Sequence, residues 1–217
     1  MLYGCDLSHH NGANAVLNAI AQKGDIRFVI CKSTEGRTYK DPTFDVNMRA
    51  AMNNSRLLGA YHYARPENGN TIEEEALNFV NAVKPYIGNC LLALDWEGEA
   101  LKYNPEWALA WCEQVKLMTG VKPVIYVQES YLPKLEKPFT GSDFGIWVAK
   151  WSDKNPNVPT SLKPFVLWQY TSKPFDLDKF NGNEEQYRKY CEVVYSGDRN
   201  EDCGKCYCGC NCCSEKE

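Results

Sequence analysis

The sequence predicts an α/β fold: an irregular, flattened (β/α) barrel with some helices missing and a short Cys-rich tail at the C-terminal end. Three observations predict it. Short apolar, β-rich runs alternate with stretches of helical period, the pattern of a sheet built from crossover units. Eight such runs occur, enough to close a sheet on itself. Residues 1–195, which precede the tail, are fewer than the roughly 250 that eight full βα units require.

The candidate strands are 2–6, 28–33, 58–63, 90–96, 123–127, 145–149, 165–170 and a short run at 175–177. Helical stretches lie between the early ones. Residues 13–22 and 45–54 have the apolar period, and 71–83 opens with a capping box at Thr71 and Glu74. Residues 104–119 begin with Asn104 as N-cap and Pro105 at the first helical position. The second half is poorer in helix. Residues 129–135 have room for a turn or two, whereas 139–157 and 158–164 contain no amphipathic run of adequate length.

Composition excludes several classes. The chain has 217 residues, 44% hydrophobic and 24% charged, as expected for one globular body. No stretch approaches the 18 or so apolar residues of a membrane span. With 24 Lys and Arg against 28 Asp and Glu the net charge is −4 and no basic block stands out, so neither nucleic acid nor an anionic membrane is an expected partner. Aromatic usage is high, with 13 Tyr, 8 Phe and 6 Trp. Polar-edged rings suit sugar faces, although core packing is their commoner use.

The 11 cysteines fall into two groups. Cys5, Cys31, Cys90, Cys112 and Cys191 mostly sit in apolar segments, where a reduced thiol serves as a small buried hydrophobe. The N-terminal segment has neither a basic start nor an apolar stretch of signal-peptide type, so synthesis in the cytosol is expected. Cys203, Cys206, Cys208, Cys210, Cys212 and Cys213 crowd the tail, where thiolates at this density can hold zinc with four sulfurs. The alternatives are an unstructured tail, or disulfides formed in an oxidising medium. Residues 196–217 are accordingly read as an acidic linker plus that tail, separate from the body.

In a barrel of this type the chemistry gathers where the strands end. The fourth run ends Leu94-Asp95-Trp96-Glu97, and alternation projects Asp95 and Glu97 to the same side. Repulsion and desolvation then raise one proton affinity into the range of a general acid while the other group stays ionised, the division of labour glycoside hydrolysis needs. A metal site or a solvated rim is the alternative for the pair alone. No ligand-like His stands beside it, and His9-His10 reads as an orienting or structural pair. Asp6 ends the first run and Asp176 the last, so Asp6, Asp95, Glu97 and Asp176 form an acidic ring at an aromatic-walled mouth. Such a mouth suits a carbohydrate.

These residues resemble glycoside hydrolase family 25, the Chalaropsis-type lysozymes that include many phage endolysins. The resemblance runs in chain order through Asp6-Leu-Ser-His-His-Asn-Gly12, Val29-Ile-Cys-Lys32-Ser-Thr-Glu35-Gly36, Gly59-Ala-Tyr61-His62-Tyr63-Ala-Arg65, Leu94-Asp95-Trp96-Glu97, Pro123-Val-Ile-Tyr126, Trp168-Gln169-Tyr170-Thr-Ser172 and Phe175-Asp176-Leu177. It implies a catalytic body over 1–195 that hydrolyses the β-1,4 bond between N-acetylmuramic acid and N-acetylglucosamine in peptidoglycan, as a monomer and without a catalytic cofactor. By position, Glu97 is similar to the family's proton donor, Asp95 to its second catalytic carboxylate, and Asp6 and Asp176 to two further acids of the cleft. Tyr61 and Tyr63 match an aromatic motif. Tyr61 is expected to face substrate, because alternation turns His62 away. Lys32, Glu35, Tyr126, Trp168 and Gln169 are further substrate-site candidates, with a Lys32–Glu35 rim ion pair and packing roles for Trp147, Trp151 and Trp168 as the alternatives. A phage endolysin, made in the host cytosol and acting on the wall after release, is the expected setting. Two other readings stand beside it: a carbohydrate-binding protein that kept the barrel without turnover, and a metal-binding or redox factor with the barrel as carrier.

Overall fold

The computed structural model describes residues 1–162 and 165–194; the expected tail and its thiols lie outside the described residues. In chain order the elements are β1 (Leu2–Leu7), α1 (Ala15–Gln22), β2 (Ile26–Glu35), β3 (Tyr39–Lys40), α2 (Phe44–Asn53), β4 (Leu57–Tyr63), α3 (Ile72–Val83) and β5 (Cys90–Asp95). There follow α4 (Glu106–Thr119), β6 (Val124–Gln128), α5 (Leu132–Phe139), β7 (Gly145–Ala149), β8 (Phe165–Thr171), β9 (Leu177–Phe180) and α6 (Glu184–Lys189). Strands β1, β2, β4, β5, β6, β7 and β8 run parallel, each beside the next. β9 pairs antiparallel with both β8 and β1 and closes the ring. β3 is a two-residue hairpin partner of the end of β2 and lies outside it.

Strand alternation divides the core in two. Val29, Cys31, Leu58, Ala60, Leu92, Leu94, Ile125 and Val127 face the surrounding helices. Phe28, Ile30, Leu57, Leu91, Ala93, Val124, Tyr126, Trp147 and Phe180 fill the lumen. The five body cysteines carry free thiols and are all buried, as small hydrophobes would be.

Expected and observed elements differ in several places, beginning with the hairpin strand β3, which was not expected. The last strand spans Leu177–Phe180, where a short run at 175–177 was expected, and it runs antiparallel to its neighbours. Asp178 and Lys179 make it read as polar. α5 is a helix of eight residues although Pro133 and Pro138 argue against one. Pro133 falls in the first turn, where a missing N–H is harmless, and Leu132, Leu135 and Phe139 bury one side. α6 is short and rests on an Asn183/Gln186 capping box. In α4 the cap place falls on Pro105 and the helix begins at Glu106, one residue later than expected. The Thr71/Glu74 capping box of α3 forms as predicted. Between β7 and β8 the described residues make only a 3-10 turn, Thr160–Leu162. This is one of the missing helices.

Gly4 shows how tightly the lumen closes on the first strand. A Cβ built there would collide with the ring of Phe28, which is itself fully buried. Gly4→Ala is therefore expected to destabilise the fold by about 1–3 kcal/mol through overpacking. Calorimetry should show a drop in Tm of roughly 2–10 °C.

Candidate active site

Because β9 runs against its neighbours, its leading end lies at the same mouth as the trailing ends of the parallel strands. Asp176, just before β9, therefore reaches the place where β1 delivers Asp6 and β5 delivers Asp95. The backbone N–H of Asp6 donates to the Asp176 carbonyl at 3.3 Å, which ties the two segments together. Each strand arrives by inward alternation: Gly4 then Asp6, Gly59 then Tyr61, Leu91 and Ala93 then Asp95, Val124 then Tyr126, Gly145 then Trp147. Glu97 continues the chain past β5 in an extended conformation. Trp96 between the two acids turns outward, is fully buried, and stacks on Trp107 at 5.6 Å. Gly98 follows at φ +58°, where a Cβ would also lie 2.7 Å from the Tyr63 hydroxyl, so the turn releasing Glu97 requires glycine.

The result is a cleft of about 330 Å³ lined by acidic Asp6, Asp95, Glu97 and Asp176, by Tyr61, Tyr126, Trp147 and Trp151, and by Gln169 and Ser172. The four predicted carboxyls converge. A larger cavity, about 540 Å³, opens at the opposite end of the barrel, but its Asp143 is held below the usual carboxylate range mainly by Lys122 and Lys116 against burial.

One hydrogen-bond chain orders the cleft. Trp151 Nε1 and the Tyr126 hydroxyl both donate to Gln169 Oε1, each at 3.1 Å. Since an indole N–H can only donate, this fixes the amide, and Gln169 Nε2 donates to Asp6 Oδ2 at 2.8 Å. Edge-to-face contacts of Trp147 with Tyr126 (4.9 Å) and Tyr61 (6.4 Å) stiffen the wall.

Electrostatics raise the proton affinity of the whole set. Burial first, then repulsion from Asp176, pushes Asp6 up to about 7, although hydrogen bonds from Gln169 and Asp178 hold it down. Burial and the Glu97 charge lift Asp95 well above the carboxylate range, against the pull of Lys32. Burial and Asp176 raise Glu97, opposed by Lys32 and Arg65. Burial raises Asp176. Asp95 is the deeper of the central pair at 8% exposure, with Oδ1 buried and without a hydrogen-bond partner among the described residues, whereas Glu97 is half-buried and open to the cleft. Such a cluster keeps protons that isolated carboxyls would shed, and its protons belong to the set as a whole.

The remaining predicted residues separate. Tyr61, Tyr126 and Gln169 line the cleft as expected. Lys32 and Glu35 form the rim ion pair, with Nζ to Oε2 at 2.6 Å, and Arg65 Nε holds the other oxygen of Glu35 at 2.6 Å. Glu35 thereby faces an adjoining groove with His9, His10 and Arg37 rather than the cleft itself. The Tyr63 ring lies between Lys32 Nζ at 4.8 Å and the Arg65 guanidinium at 4.6 Å, beside the cleft. Trp168 is not a cleft residue: alternation sends it outward, where Nε1 donates to the Lys150 carbonyl at 2.7 Å. Trp147 and Trp151, for which packing was the expected alternative, both line the cleft, and Trp151 is 66% exposed. His62 turns away as predicted. Nε2 meets Glu75 at 2.9 Å, Nδ1 meets Thr34 at 2.8 Å, and burial lowers the proton affinity of the imidazole against the pull of Glu75. His9 pairs with Asp41 at 2.8 Å, an orienting role. Ser172 and Asp178 were not singled out. Asp178 shares the alternation of Asp176 and Phe180, which is the signal that could have found it. Among the described residues no group of three His, Cys, Asp or Glu is arranged to hold a metal ion.

Residues 5–178 match the family Glycosyl hydrolases family 25. Lysozyme M1 of Streptomyces globisporus is 27% identical over 206 residues, 83% of this chain and 68% of that protein. The N,O-diacetylmuramidase of Arthroderma benhamiae is 27% identical over 189 residues, 79% of this chain and 80% of that one. Among solved structures, the muramidase of Trichobolus zukalii superimposes with a TM-score of 0.75 at 25% identity, covering 88% of this chain and 99% of its own.

Proposed function

The chain belongs to glycosyl hydrolase family 25, and from that premise we propose that it is a peptidoglycan hydrolase, an N-acetylmuramidase that cuts the β-1,4 bond between N-acetylmuramic acid and N-acetylglucosamine. The observation that carries this reading is the convergence of Asp6, Asp95, Glu97 and Asp176 in one aromatic-walled cleft with raised proton affinities. The names of the Streptomyces and Arthroderma relatives point the same way.

In this mechanism Glu97 is the acid. It is the member of the central pair open to the cleft, so it can reach a glycosidic oxygen and recover its proton from solvent. As the C–O bond breaks, the Glu97 proton passes to the leaving oxygen, and the bonding electrons leave with it. Positive charge grows at the anomeric carbon, where ionised carboxylates of the cluster stabilise it. Asp95 orients the substrate N-acetyl group or the attacking water, which delivers its oxygen to the anomeric carbon and its proton back to Glu97. Tyr61, Tyr126, Trp147 and Trp151 supply flat faces for sugar rings. No catalytic cofactor takes part. The reading extends to an endolysin made in a reducing cytosol and acting on the wall after release, with which five free buried thiols agree.

Mass analysis of sugar fragments from digested peptidoglycan tests the bond assignment. Fragments with N-acetylmuramic acid at the reducing end are expected. Fragments ending in N-acetylglucosamine would overturn the specificity, and wall binding without fragments would favour a carbohydrate-binding protein.

A further inference from the structure

The carboxyl that the mechanism leaves unused is Asp178. It is fully buried inside β9, two residues beyond Asp176. Oδ1 accepts the Trp147 indole N–H at 2.9 Å, while Oδ2 is buried and receives no donor from any described residue of ordinary ionisation. Beside it is the Asp6 carboxyl, which lies one inward step along β1 from the register partner Gly4 and already accepts from Gln169 Nε2. Two ionised carboxylates do not meet in a dry site without a proton between them.

The surroundings say which of them holds it. Asp178 lies in register between the inward Gly4 of β1 and the inward Gln169 of β8, with Asp6 the next inward residue of β1, Trp147 of β7 bonded to it and Asp176 in the preceding turn, and none of these is a cation. Lys179 points the other way, over the rings of Trp168 and Tyr170 at 4.5 Å. Asp6 has an amide donor that favours its charge; Asp178 has only an indole, and it is the more deeply buried of the two.

We propose that Asp178 is a neutral carboxylic acid whose O–H donates to Asp6, a positioning residue that keeps the Asp6 carboxylate ionised and aimed into the cleft. The inference rests on the reading of this cleft as the active site. Burial, followed by the Asp6 charge and hydrogen bond, drives Asp178 well above the carboxylate range, in agreement with that arrangement. Without the donor, Asp6 would hold its own proton to higher pH, and the electrostatic support of the cleft would weaken at neutrality.

Asparagine can replace both bonds, its oxygen accepting from Trp147 and its amide donating to Asp6; alanine can replace neither. At pH 7, D178A is expected to clear cell walls about 10-fold more slowly, with the acid limb of its pH profile moved to higher pH. D178N is expected to restore both the limb and most of the rate lost in D178A. Infrared difference spectra of wild type against D178N at pH 8 read the proton directly and need no activity: a carboxylic-acid C=O band present only in wild type is expected. A missing band, or a D178N profile displaced like that of D178A, overturns the proposal. If D178A does not fold, the infrared comparison and the D178N profile decide alone. A wild type that shows the band but yields no wall fragments defeats the proposed function and leaves the proton assignment standing.

Discussion

Glu97→Gln is expected to slow the clearing of cell-wall suspensions by two to four orders of magnitude while leaving the fold intact. The amide has nearly the size and polarity of the acid but no proton to give to a leaving oxygen, and a positioned general acid is worth about 10²–10⁴-fold. Glu97 is half-buried and makes no side-chain hydrogen bond to another described residue, so the exchange breaks nothing structural. Turbidity loss compared at equal protein concentration, with Tm recorded alongside, gives the answer. Clearing equal to wild type would remove Glu97 from the mechanism. In the wild type, the proton that Glu97 transfers is lost as pH rises through its raised pKa, so activity is expected to fall on the alkaline side.

Asp6→Asn is expected to stabilise the protein at pH 8, by about 2 kcal/mol or roughly 4–8 °C in Tm for a chain of this size, and by much less near pH 4. Asp6 rises from an ordinary 3.8 to about 7 on folding. Between those values the folded protein binds more protons at this site than the unfolded chain, so the site's contribution to stability falls as pH rises. Below about 4 both forms are protonated and no penalty exists; above 7 the full penalty of a buried, repelled charge stands. Asparagine removes the charge and can still accept from Gln169. Groups held below their usual range, such as Asp41 and Asp143, work in the opposite direction and weaken the fold only in acid. Calorimetry of both proteins at pH 4 and pH 8 tests this. An Asn variant no more stable than wild type at pH 8 would show that Asp6 carries no such penalty. The acids grouped for catalysis are thereby a load on the fold.

Much of the site was legible in the chain. Asp95 and Glu97 are two residues apart after an apolar run, and a strand's alternation alone commits both to one side. The same rule sent His62 outward and Tyr61 inward. It was not carried through for Trp147, which shares the inward alternation of Gly145, nor for Trp168, which neighbours the inward Gln169 and must therefore face out. Lys32 and Glu35 gave no such guidance. Whether that pair serves substrate or rim depends on Arg65, 30 residues later in the chain, which grips the second oxygen of Glu35.

What the sequence by itself determined is everything with a local cause: the β/α alternation, the helix cap at Thr71, the shortage of helix before β8, and the side that Asp95 and Glu97 must take. Only the tertiary structure decided that the last strand runs backward, which brings Asp176 to the common mouth and slides Asp178 beneath Asp6. The reason is physical. Alternation and capping act over a few bonds along the backbone, whereas the proton affinity of a carboxyl depends on which charges and donors share its dry surroundings, and in a closed barrel those come from the two ends of the chain.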